Sequence, residues 1–141
     1  ERAFLMKIFV CSSKHFYHQL PPVIAELEQY GHHITPPNSY DNPFKEEEMK
    51  VRGKEEHRAW KAAMIRLQEE KIRANDALLV MNFEKNGMQN YIGGATFLEI
   101  FKAFELGRKI FLYNPIPNCL FSDELHAMDP CVIHGDLQKI R

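Results

Sequence analysis

The segment Gly93-Gly94-Ala95-Thr96-Phe97-Leu98-Glu99 holds the residue types best suited to chemistry. Two adjacent glycines let the backbone approach a ligand closely. A helix starting behind them offers unbonded N–H groups and a partial positive charge. A sugar hydroxyl, a phosphate or a carboxylate suits such a place. The spacing puts Glu99 in the first turn of that helix, on a stripe with Ala103 and Leu106, while Phe97, Ile100, Phe101 and Phe104 form a second apolar face. A helix with two apolar stripes is buried on more than one side, so an acid at its mouth is partly desolvated and suited to act as a nucleophile. The same spacing has a plainer reading. Thr96-x-x-Glu99 is also a capping box, in which Glu99 bonds back to the start of its own helix.

The elements that must position this segment follow from hydrophobic patterning. Residues 6–11 form an apolar, β-branched and aromatic run that reads as a buried first strand. Pro21 and Pro22 open a helix carrying Val23, Ile24, Leu27 and Tyr30, and Gly31 stops it. Residues 32–35 make a second strand, and 38–44 a loop. Residues 45–54 are highly charged and read as a short helix or a mobile segment. A long helix from Glu55 to about Ala74 shows an apolar face of Trp60, Ala63, Met64, Leu67 and Ile72. Residues 76–82 are the clearest buried strand, followed by a Gly-containing loop to Gly94. A helix from Thr96 to Leu106 ends at Gly107, and strands follow at 109–113 and 131–134.

Alternation of helices with continuously apolar strands predicts one three-layer α/β domain, Rossmann-like or flavodoxin-like, over residues 6–141. Its parallel sheet would have four to five strands. Met6 is a candidate native start, with residues 1–5 a remnant outside the domain. In such folds ligands bind beyond the carboxyl ends of the strands, at the switch in strand order. That rule selects residues 11–17, the loop 82–94 and the helix start at Thr96. Within them Ser12, Ser13 and Lys14 could hold a phosphate or a hydroxyl, or simply turn the chain. Asn82 could contact a ligand. Trp60 and the helical phenylalanines read as core rather than as a stacking platform.

Composition narrows the partners. The chain has 141 residues, 45% hydrophobic and 26% charged, with a net charge of −1, and the lysines and arginines of its middle segment are interleaved with glutamates, as on a solvated helix face. No basic patch for a nucleic-acid polymer is visible. Three widely spaced cysteines without a CxxC pair fit a reducing cytoplasm and neither a disulfide framework nor a zinc site. Among seven histidines, no H-x3-H or HExxH spacing occurs, so neither a metal nor any other cofactor is expected. No apolar run approaches the ~20 residues that span a bilayer. Apolar residues on the long helix and in the tail after Pro117 predict a homodimer or larger homo-oligomer.

The segments MKIFVCSS (6–13), ANDALLVMN (74–82) and GGATFLEIFKAFELGRKIFLYNP (93–115) resemble the nucleoside 2-deoxyribosyltransferase family, whose superfamily includes 2′-deoxynucleoside 5′-phosphate N-hydrolases. The similarity runs from about Met6 to Pro117. It implies cleavage or transfer at the N-glycosidic bond of a nucleoside or its 5′-monophosphate, with Glu99 matching the family nucleophile. It further implies Asp76 as an acid near the leaving base and Tyr17 as the tyrosine after the first strand. Asn90 is the nearest polar counterpart of a family acid that contacts the base. Gly93, Gly94 and Thr96 fall in the family's Gly-rich segment. Asn75-Asp76 alternatively reads as a cap and turn between helix and strand. The family pattern Glu-x-Gly-x-Ala is broken here by Phe101, which leaves open a non-catalytic nucleotide-binding or sensor module of the same fold. GGATFLE is also similar, one residue short, to the Gly-rich motif of phosphoribohydrolases that release cytokinin bases, which break the same class of bond.

Overall fold

Five short runs become strands; the three central ones are almost wholly apolar and buried, and the two edge strands are shorter and partly exposed. The five are β1 (Lys7–Cys11), β2 (His33–Thr35), β3 (Ala77–Val80), β4 (Lys109–Leu112) and β5 (Cys131–Val132). The computed structural model describes residues 5–141. Expectations about residues 1–4 lie outside that range. The strands form one parallel sheet in the order β2-β1-β3-β4-β5. The fold is thus a three-layer α/β domain of the Rossmann-like, flavodoxin-like kind.

Alternation along each strand sends side chains to two separate cores. Ile8 and Val10 of β1 and Leu79 of β3 join Leu20 and Leu27 of α1 (Leu20–Gln29) on one face. Phe9, Cys11, Leu78 and Val80 join the other face. There they meet Ile72 of the long helix α3 (Lys54–Arg73), Ile100 and Ala103 of α4 (Gly94–Glu105), and Leu125 of α5 (Ser122–Ala127). The charged segment after the loop is helix α2 (Lys45–Arg52), and none of its residues is buried. It lacks the ~1.5–3 kcal/mol that a fully buried Leu or Ile contributes. Gly53 separates α2 from α3 at φ 142°, a backbone conformation that other residues rarely adopt.

Two boundaries and two further elements differ from the sequence reading. Helix α4 begins at Gly94 rather than Thr96, with Gly93 extended before it and the Phe97 N–H donating to the Gly93 carbonyl at 2.9 Å. Strand β5 stops at Val132, because His134 and Gly135 take positive φ and turn the chain away. Residues 14–19 wind into a 3-10 turn directly after β1, and α5 arises where the sequence showed only an apolar tail. Among the described residues, no helix is long and apolar enough to cross a membrane.

Candidate functional site

The strand order reverses between β1 and β3: the chain leaves β1 toward β2 on one side, and β3 lies on the other. The connections diverge there and open a crevice at the carboxyl ends of both strands. A cavity of about 290 Å³ fills it. One wall is the turn after β1, residues 11–15 with Tyr17. The next is Tyr91 with the start of α4, residues 93–96. The third is α3, through Trp60, Met64 and Gln68 among others, and the loop after β2 contributes Asn38.

Glu99 lines this cavity and is only 5% exposed. Its position follows from helix geometry: Thr96, Glu99, Ile100 and Ala103 are the buried residues of α4, at i, i+3, i+4 and i+7. With α4 starting at Gly94, Glu99 falls in the second turn, and no side chain caps the helix. The capping-box reading is thereby overturned, since Thr96 and Glu99 both lie inside the helix. Burial pushes the Glu99 carboxyl up to about 8, against the opposing pull of the Cys11 thiol and the charges of Lys71 and Lys61. Alternation along β1 turns Cys11 to the same face of the sheet as α4. Its own pKa is raised well above the ordinary thiol value by burial and by the charge of Glu99.

The N–H groups of Gly94, Ala95 and Thr96 precede the first intrahelical bond of α4, so this rim of the cavity carries donors and partial positive charge. A Cβ at Gly93 would stand 3.1 Å from the Tyr91 hydroxyl, so glycine there lets Tyr91 close against the helix start. Facing this rim are Ser12, Ser13, Lys14 and His15. Ser13 also accepts the His15 N–H (3.4 Å), and Ser12 donates to the Ser13 carbonyl (2.9 Å), so both hydroxyls help shape the turn. Burial, then the nearby Lys85 and Lys14, lowers the pKa of His15. Tyr17 lines the cavity but donates its hydroxyl proton to the Asn38 carbonyl (2.9 Å), tying the 3-10 turn to the loop after β2. Burial and the charge of Glu99 raise its pKa.

Three expected site residues lie elsewhere. Asp76 precedes β3 and therefore stands at the amino edge of a parallel sheet, opposite the cavity, where its Oδ2 accepts the Lys7 N–H at 2.9 Å. It cannot protonate a leaving group beside Glu99. Asn82 sits at the correct end of β3 but is fully buried. Its Nδ2 donates to the carbonyls of Asn114 (2.9 Å) and Pro115 (3.1 Å), and its Oδ1 accepts the Asn114 N–H (2.9 Å). That side chain locks the end of β3 to the end of β4. Asn90 is half-buried, takes φ 58° in the loop before α4 and is not among the cavity-lining residues. Ser12, Ser13, Tyr17, Gly93, Gly94, Thr96 and Glu99 are brought together.

Sequence reasoning missed the α3 wall and a polar cluster beside it. Glu46 of α2 accepts hydrogen bonds from Lys61 Nζ (3.2 Å) and pairs with His57 Nε2 (2.9 Å). Burial opposes its charge, but His57 and Lys61 hold its carboxyl below the ordinary value. Lys14 pairs with Glu47, so the turn after β1 and α3 both grip α2. Among the described residues, no three His, Cys, Asp or Glu side chains gather as a metal site would. The fold and cavity define a Rossmann-like domain with a carboxylic acid at its switch point. No family model, curated protein or solved structure matches the chain.

Proposed function

We propose that the chain cleaves or transfers at the N-glycosidic bond of a (deoxy)nucleoside or its 5′-monophosphate, with Glu99 as the nucleophile. The carrying observation is the buried carboxyl of Glu99 on the wall of the switch-point cavity. Such a group is poised beside a sugar ring whose anomeric carbon develops positive charge as the base departs. The C1′–N bond breaks with its electron pair going to the base, while the carboxylate oxygen bonds to C1′. Water then releases the sugar and restores Glu99, or a second base takes it. The proton needed by the leaving base comes from a donor lining the cavity, where Lys14, His15 and Lys61 are the nitrogen candidates. The N–H rim of α4 and the Ser12–Ser13 hydroxyls suit the sugar or its phosphate.

Incubation with a panel of nucleosides and 5′-monophosphates, followed by chromatography of free base, tests this reading. Release that falls at least ~100-fold in Glu99→Gln supports it, and undiminished release in that variant sinks it. The raised pKa also favours a second reading: a neutral Glu99 at pH 7 is a hydrogen-bond donor in a binding module that does not turn its nucleotide over. Ligand-dependent thermal stabilisation without released base would mark that case. In either case the proposed setting is cytoplasmic. Self-association would use the exposed Leu98, Phe101 and Phe104 of α4 or Leu120 of the tail.

A further inference from the structure

The large apolar residues in the middle of α3, Trp60 and Met64, serve no core. The only buried residues of α3 are Gln68 and Ile72, near its end. Trp60 and Met64 belong to neither hydrophobic core, although both lie on the helix face that sequence patterning assigns to packing. Both line the cavity that Glu99 lines, and Ile65, one residue further on, does so while remaining exposed to solvent. An amphipathic helix normally buries its apolar stripe against the sheet. Here Ile72 alone of that stripe joins the core, while Trp60 and Met64 face the cavity instead. The polar groups around Trp60 are arranged to hold the indole steady: His57 stacks on Trp60 at 6.2 Å and 28°, and Lys61 lies 5.9 Å from its ring. Glu46 fixes both His57 and Lys61 from α2.

The cavity therefore has two chemically different sides. The turn after β1 and the start of α4 offer hydroxyls, cations and N–H groups. The α3 side offers a large aromatic plane and a thioether, with Lys61 as a donor at its margin. A ligand complementary to both has a polar, anionic or hydroxylated end and a flat heteroaromatic end, joined across Glu99.

We propose that Trp60 is the stacking platform for the heteroaromatic base of the ligand, flanked by Met64, and that it sets affinity for the base rather than for the sugar. This rests on the nucleoside reading of the site and adds the subsite that selects the base. Stacking of a base on an aromatic side chain contributes ~1–3 kcal/mol and tolerates different bases, because every base has a π-face.

Trp60 is the only tryptophan of the chain, so its emission reports on this subsite alone. The wild-type protein is titrated with free adenine, with free thymine and with deoxyribose 5-phosphate, binding being followed in parallel by calorimetry. The expected result is saturable quenching by the bases and none by the ringless sugar phosphate. Trp60→Ala should weaken base binding about tenfold, and Trp60→Phe, which keeps an aromatic plane, should restore most of it. Deoxyribose 5-phosphate affinity should stay unchanged in both variants, which also shows that they fold. Base binding seen by calorimetry without quenching, or equal base affinity in Trp60→Ala and wild type, overturns the proposal, as does the absence of any base binding. Quenching by bases in a protein that never releases base from a nucleoside would sink the catalytic reading and leave this one standing. Release of base with KM unaltered by Trp60→Ala would do the reverse.

Discussion

At the scale of single residues, the decisive feature is a carboxyl that folding moves out of water. The Glu99 side chain ionises near 4.5 in an unfolded chain and at about 8 in the folded one, with burial the main cause. The folded state thus holds this proton more tightly. The stability that Glu99 contributes is complete below about pH 4.5 and is lost as pH rises through 8. Urea unfolding of wild type and Glu99→Gln across pH 5 to 9 should show the wild type losing on the order of 2–4 kcal/mol relative to the variant. Parallel stability curves would contradict the burial of this carboxyl. In the proposed reaction the same proton governs chemistry, since only the carboxylate would attack: kcat/KM should climb toward about pH 8 and then level. Asp76 makes the complementary point. Its carboxylate serves the Lys7 N–H at the amino edge of the sheet, so Asp76→Ala should cost about 1–2 kcal/mol of stability and leave kcat within twofold. A large fall in kcat at unchanged KM would return Asp76 to the reaction. Asn82→Ala should be costlier still, about 2–3 kcal/mol by chemical denaturation, because it removes a fully buried side chain and the three hydrogen bonds that tie the half-buried Asn114 and the Pro115 carbonyl to the end of β3.

At the scale of elements, the parts of the site differ in how firmly they are held. Strands β1 and β3 and helix α4 are anchored by fully buried side chains, whereas α2 is held by ionic contacts of Glu46 and Glu47 with His57, Lys61 and Lys14. Partly exposed ion pairs contribute little and weaken with salt. Amide hydrogen exchange in residues 45–52 should therefore be much faster than in α4, and should accelerate in 0.5 M salt or in Glu46→Gln. Protection of α2 equal to that of β3 would contradict this. Element scale is also where sequence patterning was most and least informative. Continuous apolar runs marked β1, β3 and β4, because a strand buried on both faces has no polar alternation to hide it. Sequence patterning puts the start of α4 two residues late because Thr96 resembles a cap, while the actual cap, Gly93, acts through its backbone alone. The α3 face was legible as amphipathic but not as cavity wall, since Trp60 and Met64 show the same spacing whether they meet a core or a ligand.

At the scale of the whole molecule, topology explains which site residues converge. The order β2-β1-β3-β4-β5 opens the crevice between β1 and β3, and Cys11–Tyr17 and Gly93–Glu99 meet there because each follows one of those strands. The rule that ligands bind at carboxyl ends was readable from strand–helix alternation. The same rule sends residue 76, which precedes its strand, to the far edge, whereas family resemblance pointed the other way. What no linear pattern could show was that Asn114 would occupy Asn82, or that α2 and α3 would close the third side. The account as a whole depends on Glu99 forming a bond to the sugar. The most direct measurement is peptide mass spectrometry of enzyme acid-quenched during turnover of the best substrate in the nucleoside and nucleotide panel. The account predicts a glycosyl adduct on the peptide containing Glu99, absent in Glu99→Gln. Release of base with that peptide unmodified under every quench, and at full rate in Glu99→Gln, would contradict it.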